Sequence, residues 1–251
     1  MTTGARRRMG VEERRRQLIA VALELFSRHS PEDVSIDDIA TAAGISRPLV
    51  YHYFPSKRSL YEAAVRRAAD DLAGRFTEPH EGPLSGRLLR VMGRYFDFVD
   101  EHGPGFIALL RGGSAVGPAL AGAVIDEVRQ TACTQVLAHL GTGSPGPRLA
   151  LVVRAWIGLA ETTALTWLDG RAVPRAELEL QLVHDFLALA AVAAAHDAET
   201  RAVVDHIVAQ EPADGLLGEL LGRLGGLLPP SSPSSPCAPR QEASRPGRTG
   251  A

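Results

Sequence analysis

The sequence predicts an all-α protein, and three observations predict it. Alanine and leucine dominate the C-terminal two thirds while β-branched runs are scarce, a balance that favours helix over strand. Apolar residues recur at helical spacing in one segment after another. Glycines, prolines and capping serines fall between those segments, where helices start and stop. A composition of 45% apolar and 22% charged residues over 251 positions suits a globular chain of one large or two modest domains.

Residues 1–10 read as a flexible basic arm, with Arg6, Arg7 and Arg8 followed by Arg14, Arg15 and Arg16 at the start of a helix. Such a run suits phosphate or minor-groove contact, and it equally suits a solubilising terminus. From Val11 to about His29, Leu18, Ile19, Ala22, Leu25 and Phe26 form one apolar stripe, and Pro31 closes the segment. Ser35 opens a second helix, with Asp38 in capping-box position and Asp37 near the positive helix end. Ile36, Ile39, Ala40 and Ala43 are its buried face, and Gly44 supplies the left-handed stop.

A third, short helix is expected after Ser46, which is placed to cap it, with Pro48 tolerated in the first turn. Val50 and Phe54 lie four apart and face the core. Arg47, Tyr51 and His52 point away, with Leu49 and Tyr53 on the flanks. Pro55 ends this helix and Ser56 caps the next, which holds Leu60, Tyr61 and Val65. Two short helices joined through Ala-Gly-Ile, behind a longer amphipathic one, make a helix-turn-helix over residues 11–57.

The chemistry of the third helix suits DNA. Arg47 can fork onto guanine O6 and N7. Tyr51, Tyr53 and Lys57 suit phosphates, and His52 a base edge or a thymine methyl; Tyr53 fits the core equally well. The charge distribution agrees. Residues 1–67 hold 12 Lys/Arg against 8 Asp/Glu, whereas the remainder holds 15 against 21. A basic module on an acidic body suits a polyanion at one end only.

Ile39-Ala40, Ala43-Gly44-Ile45-Ser46 and the block Val50-Tyr51-His52-Tyr53-Phe54-Pro55-Ser56-Lys57 with Leu60 resemble the DNA-binding domain of the tetracycline-repressor (TetR) family. The resemblance runs without a gap over about residues 11–62, with valine at position 50 where the family often has leucine. It implies an all-helical homodimeric transcription factor, usually a repressor released from its operator by a small molecule. Carried over by position, Arg47, Pro48, Tyr51 and His52 fall on base- or phosphate-contacting sites and Tyr53 and Lys57 on phosphate-contacting ones. Ser35 matches the cap of a helix whose amino end faces a phosphate.

Residues 58–228 read as a helical effector-binding and dimerisation domain. Gly82-Pro83 precedes a helix running to about Val99, and His102-Gly-Pro-Gly marks a turn before a short piece from Phe106 to Leu110. Arg111-Gly-Gly breaks the chain again. Helices from about Gly117 to Leu140, Arg148 to Asp169 and Arg175 to Ala195 follow, then one or two more carrying the stripe Leu216, Leu217, Leu220, Leu221 and Leu224. Residues 229–251, rich in Pro, Ser, Arg and Gly, bury too little surface to offset ordering entropy and are expected to be disordered.

The helix over 175–195 is apolar on two faces, one through Leu178, Leu182, Phe186 and Leu189, the other through Leu180, Val183, Leu187 and Ala191. Two apolar faces need two partners, either within a monomer or across a two-fold four-helix interface. The first face is the candidate dimer surface. Candidate effector-lining residues are Phe76, Leu88, Met92, Tyr95, Phe96, Phe106, Leu110, Val128 and Trp156, all of which fit plain core as well. Glu161 and Thr162 stand out as polar residues inside an apolar helix. A carboxylate there needs a partner: Arg154, Arg129 or polar groups of a ligand.

Other classes find less support. Neither a nucleophile–base pair nor a phosphate loop nor metal-ligand spacing is present in the sequence, so no enzyme, metal or cofactor is expected. Cys133 and Cys237 form no disulfide framework, which suits a reducing cytoplasm. No apolar run approaches the roughly 20 residues that span a bilayer, so no membrane partner is expected. The expected partners are a double-stranded operator with two-fold half-sites, a small-molecule effector and a second copy of the chain. An effector-independent DNA-binding protein of the same fold is the alternative, to be told apart by whether the body has a roomy cavity or a dry, closed core.

Overall fold

The computed structural model describes residues 10–110 and 118–225. Ten helices and no strand appear among them: α1 Val11–Arg28, α2 Ile36–Ala43, α3 Arg47–Tyr53, α4 Lys57–Arg75, α5 Leu84–Leu110, α6 Pro118–His139, α7 Pro147–Gly170, α8 Arg175–Ala194, α9 Ala198–Val208 and α10 Leu216–Gly225. Most of the basic arm, the break at Arg111 and the 229–251 tail lie outside the described residues.

The local signals set the first helices. Ser35 Oγ accepts from the Asp38 amide at 3.1 Å while the Asp38 carboxylate takes the Ser35 amide at 2.8 Å, a reciprocal capping box. Gly44 is left-handed, with φ 66°, and ends α2. Ser56 and Ser59 cap α4 in the same reciprocal way. Ser46 differs from expectation: it occupies the N-cap position of α3, but its hydroxyl takes no amide of that helix. Pro48 has no N–H to give, and the Leu49 amide goes to the Ser46 carbonyl instead, at 3.0 Å.

Two cores result. The first gathers Leu18, Phe26, Ile39, Val50 and Phe54 with Leu60, Tyr61, Ala64 and Val65 of α4, and also takes in Val124 of α6. No clean break therefore falls at 57/58. Helix α4, 19 residues and about 28 Å long, serves both cores, since its Leu72 and the following Phe76 belong to the second. Helix α1 packs on α4 and α5, α4 on α6, and α7 on α8.

Helix α5 runs through the turn expected at His102. Only that residue leaves helical geometry (φ −121°, ψ 18°), two positions before Pro104, whose missing N–H and ring clash kink the helix there. The kink lays the last turns of α5 on α1. A Cβ added at Gly105 would sit 3.0 Å from the Phe26 carbonyl oxygen, so the two backbones nearly touch. Beside that crossing, Ser27 Oγ lies 2.5 Å from Nδ1 of His102.

Helix α7 corrects one expectation, being long and apolar enough by length and composition to cross a membrane. Its Leu149, Val153, Trp156 and Ala164 are buried in the second core.

Candidate DNA interface and effector cavities

Val50 and Phe54 are wholly buried and fix α3 against the first core, with the Arg15 guanidinium 4.8 Å from the centre of the Phe54 ring. The outer face of α3 is left to Arg47, Pro48, Tyr51 and His52, all exposed; Tyr51 keeps 41% of its surface open, unusual for a large aromatic. Tyr53 is half-buried and stacks edge-on against His52. Arg47 donates to Asp37 at 2.9 Å across the turn and lies 5.7 Å from the Tyr51 ring. Both ends of that ion pair are open to solvent and screened, so it holds Arg47 only weakly and a phosphate or guanine can outcompete it. Lys57 donates to the Glu32 carbonyl at 3.3 Å, and Ser35 is exposed at the amino end of α2. The structure thus brings the seven DNA-binding candidates to one side of the first core, around the α2–α3 turn and the start of α4.

Two adjoining cavities lie among the helices, the lower between α1 and the body and the upper within the body. The lower one, about 90 Å³, is walled by Phe26 and Ser27 of α1, Tyr61 and Ala68 of α4, Leu110 of α5 and Val124 of α6. The upper one, about 70 Å³, lies among Phe76, Leu88, Met92, Tyr95, Trp156 and His139. Leu72, Phe106, Val128 and Glu161 line both, and so form the wall between them. A water needs only about 10–15 Å³, so each space is several times larger than a single water requires.

Nine of the eleven candidate lining residues reach these cavities. Phe96 does not: it is fully buried between Tyr95 and Trp167, whose rings meet it edge-on at 5.6 and 5.4 Å. Thr162 is a second correction. It sits on the exposed side of α7, and its hydroxyl donates back to the Gly158 carbonyl at 2.9 Å. Glu161 finds its partner in Arg129, which donates from Nε at 2.9 Å and from Nη2 at 2.6 Å. Arg154 takes no part in that fork.

The dimer candidates need a larger correction. Leu178, Leu182 and Phe186 are buried within a single chain, and Leu189 packs on the same core. Trp156 explains why: its indole Nε1 donates to the Leu182 carbonyl at 2.7 Å and its ring meets Phe186 at 5.1 Å. What α7 and α8 leave outside is a different strip, with Leu151 66% exposed, Leu159 37% and Val192 63%, and the small residues Ala155, Gly158, Ala188 and Ala191 also exposed.

Sequence reasoning passed over Arg87 and His139, buried polar residues that meet through Arg87 Nη1 and His139 Nδ1 at 3.0 Å. The rule that drew attention to Glu161, a polar group inside an apolar stretch, applies equally to Val136-Leu137-Ala138-His139-Leu140. Asp71, Glu101 and His102 also come within one another's reach, and Arg75 already bridges the two carboxylates.

Known proteins agree with this architecture. Residues 18–64 match the family model described as bacterial regulatory proteins, tetR family, and residues 84–189 that of the tetracyclin repressor-like C-terminal domain. A crystal structure of a tetR-family transcriptional regulator from Streptomyces coelicolor is 68% identical, covers 87% of this chain and 99% of its own, and superposes with a TM-score of 0.84. The HTH-type transcriptional activator FasR of Mycolicibacterium smegmatis is 28% identical over 64% of this chain and 75% of its own length. The HTH-type transcriptional repressor KstR2 of Rhodococcus jostii is 38% identical over 31% of this chain and 38% of its own. With its helix-turn-helix, its helical body and a close structural relative along nearly its whole described length, the chain belongs to the TetR family of transcriptional regulators.

Proposed function

We propose that this regulator acts in the cytoplasm as a homodimeric repressor whose two α3 helices read successive major grooves, and that a small, largely apolar effector releases it. One observation carries the effector reading: the lower cavity takes its wall from α1 of the DNA-binding unit and from α4 to α7 of the body together. A ligand filling both cavities must part the wall of Leu72, Phe106 and Val128. Leu72 is on α4 and Phe106 on the kinked end of α5, the two helices on which α1 rests. Displacing them changes the setting of α3, and the ligand's preference for the displaced arrangement shifts the population away from the DNA-binding one. An effector-independent protein of this fold would have no use for such cavities.

The exposed strip on α7 and α8 supports the dimer. Leu151, Leu159 and Val192 with intervening alanines and glycine offer an apolar, close-packing surface suited to a two-fold four-helix contact. Light scattering on Leu159→Glu/Val192→Glu is expected to show a folded monomer; a dimer of unchanged mass removes the interface.

Selection of genomic fragments by the purified protein, followed by footprinting, tests operator binding. Arg47→Ala is expected to weaken the selected site by about 1–3 kcal/mol and relax its sequence. Lys57→Ala is expected to weaken all sequences alike and lower the salt slope by about 1. Wild-type binding by both variants would remove the recognition role of α3. FasR, named an activator, favours a second reading in which the bound regulator recruits transcription. A footprint overlapping the promoter supports repression, and one lying upstream of it supports activation.

A further inference from the structure

The upper cavity is apolar along most of its wall; Gln135 and the mutually paired Arg129 and Glu161 also line it, and one end is polar in a different way. There the last turn of α6 meets the first turns of α5, and Arg87 and His139 are buried side by side, 5% and 6% exposed. Arginine can only donate, so Nδ1 of His139 accepts the 3.0 Å bond from Arg87. The neutral ring then carries its proton on Nε2. Burial, with His80 and Arg87 close by, holds the His139 pKa below 6.5, while Glu78 pulls weakly the other way. His139 therefore stays neutral near pH 7.

Nε2 of His139, Nε of Arg87 and the hydroxyl of Tyr95 are all buried without a hydrogen-bond partner among the described residues. His139 and Tyr95 both line the upper cavity. No carboxylate pairs directly with Arg87 among the described residues; Glu211 and Glu78 act on it from further off, Glu211 being engaged with Ser85 and Glu78 with Arg90 and Arg94. Folded proteins satisfy nearly all buried polar atoms, and a buried cation needs a counter-charge. The missing complement is a group that accepts hydrogen bonds and carries negative charge.

We propose that this end of the upper cavity is a head-group site for an apolar carboxylic acid in its ionised form. The carboxylate accepts from Nε2–H of His139, and Arg87 behind the ring offsets its charge. The hydrocarbon body runs past Tyr95 to the Phe106 wall and, once that wall parts, into the lower cavity against α1. The inference rests on the effector reading above and adds the chemical class of the ligand.

Trp156 lines the same cavity, and its fluorescence reports occupancy. Dodecanoate and 1-dodecanol, alike in chain and different in head group, are the probes. Dodecanoate is expected to bind at least about tenfold more tightly, the worth of a hydrogen bond to a charged group. His139→Phe is expected to remove that preference while leaving dodecanol binding unchanged. His139→Gln, which keeps an N–H at the head group, is expected to recover most of it, and circular dichroism of both variants controls for folding. Equal binding of the two probes to the wild type overturns the head-group site and leaves the effector reading intact, since either chain still fills the cavities. Equal loss of both probes in His139→Phe makes His139 structural and overturns the site as well. No response to either probe also removes it. The effector reading is judged separately, by whether a small-molecule fraction of the cell dissociates the footprinted complex.

Discussion

The core beneath the recognition helix and the core of the body are built from the same kinds of side chain but finished to different standards. In the first, Leu18, Ala22, Ile39, Val50 and Leu60 are all closed off from solvent, and the buried Ser27 beside them is satisfied by the Leu23 carbonyl and His102. In the second, the upper cavity remains, and four buried polar atoms of the body, on Arg87, Tyr95, His139 and His184, lack partners among the described residues. The lower cavity lies at the seam, walled by Phe26, Tyr61 and Val65 of the first core and by Phe98 and Phe106 of the second. A reading head must keep one shape, because misplacing α3 forfeits its base contacts. Under the effector reading proposed above, the body needs a second arrangement within a few kcal/mol, and imperfect packing keeps that gap small.

The contrast can be broken by truncating each core in turn. Phe54→Ala is expected to cost about 3–5 kcal/mol of unfolding free energy, the range for a large side chain removed from a tight site. Met92→Ala, beside an existing void, is expected near the lower limit of its range, about 2 kcal/mol. Urea titrations decide this, and equal costs would mean that the body is as rigid as the reader.

The next effect concerns the link between α4 and α5. Glu78 is buried in that connection and receives Arg90 at 2.6 Å and Arg94 at 2.7 Å. Burial opposes its charge, but the two arginine bonds outweigh burial and hold its pKa below 4.5. Glu78→Gln is expected to cost about 2 kcal/mol, since the arginines are partly exposed and recover some hydration. The depressed pKa means that the ion pair contributes fully above pH 4.5 and is lost as the pH falls below it. The histidines act earlier. Burial holds His102 and His139 below 6.5, so stability already declines as the pH falls through 6.5 and the unfolded chain takes up protons first. Thermal midpoints followed from pH 8 down to about pH 2 should therefore fall in two stages, and Glu78→Gln should shrink the lower one, to which Glu32, Asp38 and Asp197 also contribute.

The smallest effect has the opposite sign. Ala68→Leu fills part of the lower cavity and is expected to add about 1 kcal/mol while blunting any effector response. A stabilised variant that responds normally would place the effector elsewhere.

What was legible in the sequence was local. The Ser35 capping box, the left-handed Gly44 and the Ser56 cap each depend on residues within a few positions, and each stands where its sequence signal put it. Val50 and Phe54 were separable from Arg47 and Tyr51 because a short helix has one buried side. Helix α8 was not separable in this way: apolar on two faces, it offered no reason to prefer Leu182 and Phe186 as core until Trp156 of α7 was seen bonded to one and edge-on to the other. The meeting of Arg87 and His139 spans 52 residues, beyond the reach of any periodicity. Cavities are illegible for a related reason, since a void is a property of helices that fail to meet and no single helix encodes it.

Gly105 turns the crossing of α5 and α1 into a fulcrum. With the Phe26 carbonyl 3.0 Å from where a methyl group would stand, the smallest possible side chain becomes a wedge, able to lever the reading head by a few tenths of an ångström with nothing bound. Gly105→Ala is then expected to shift the operator affinity of the protein with no small molecule added, by biasing the setting of α3 through one methyl group.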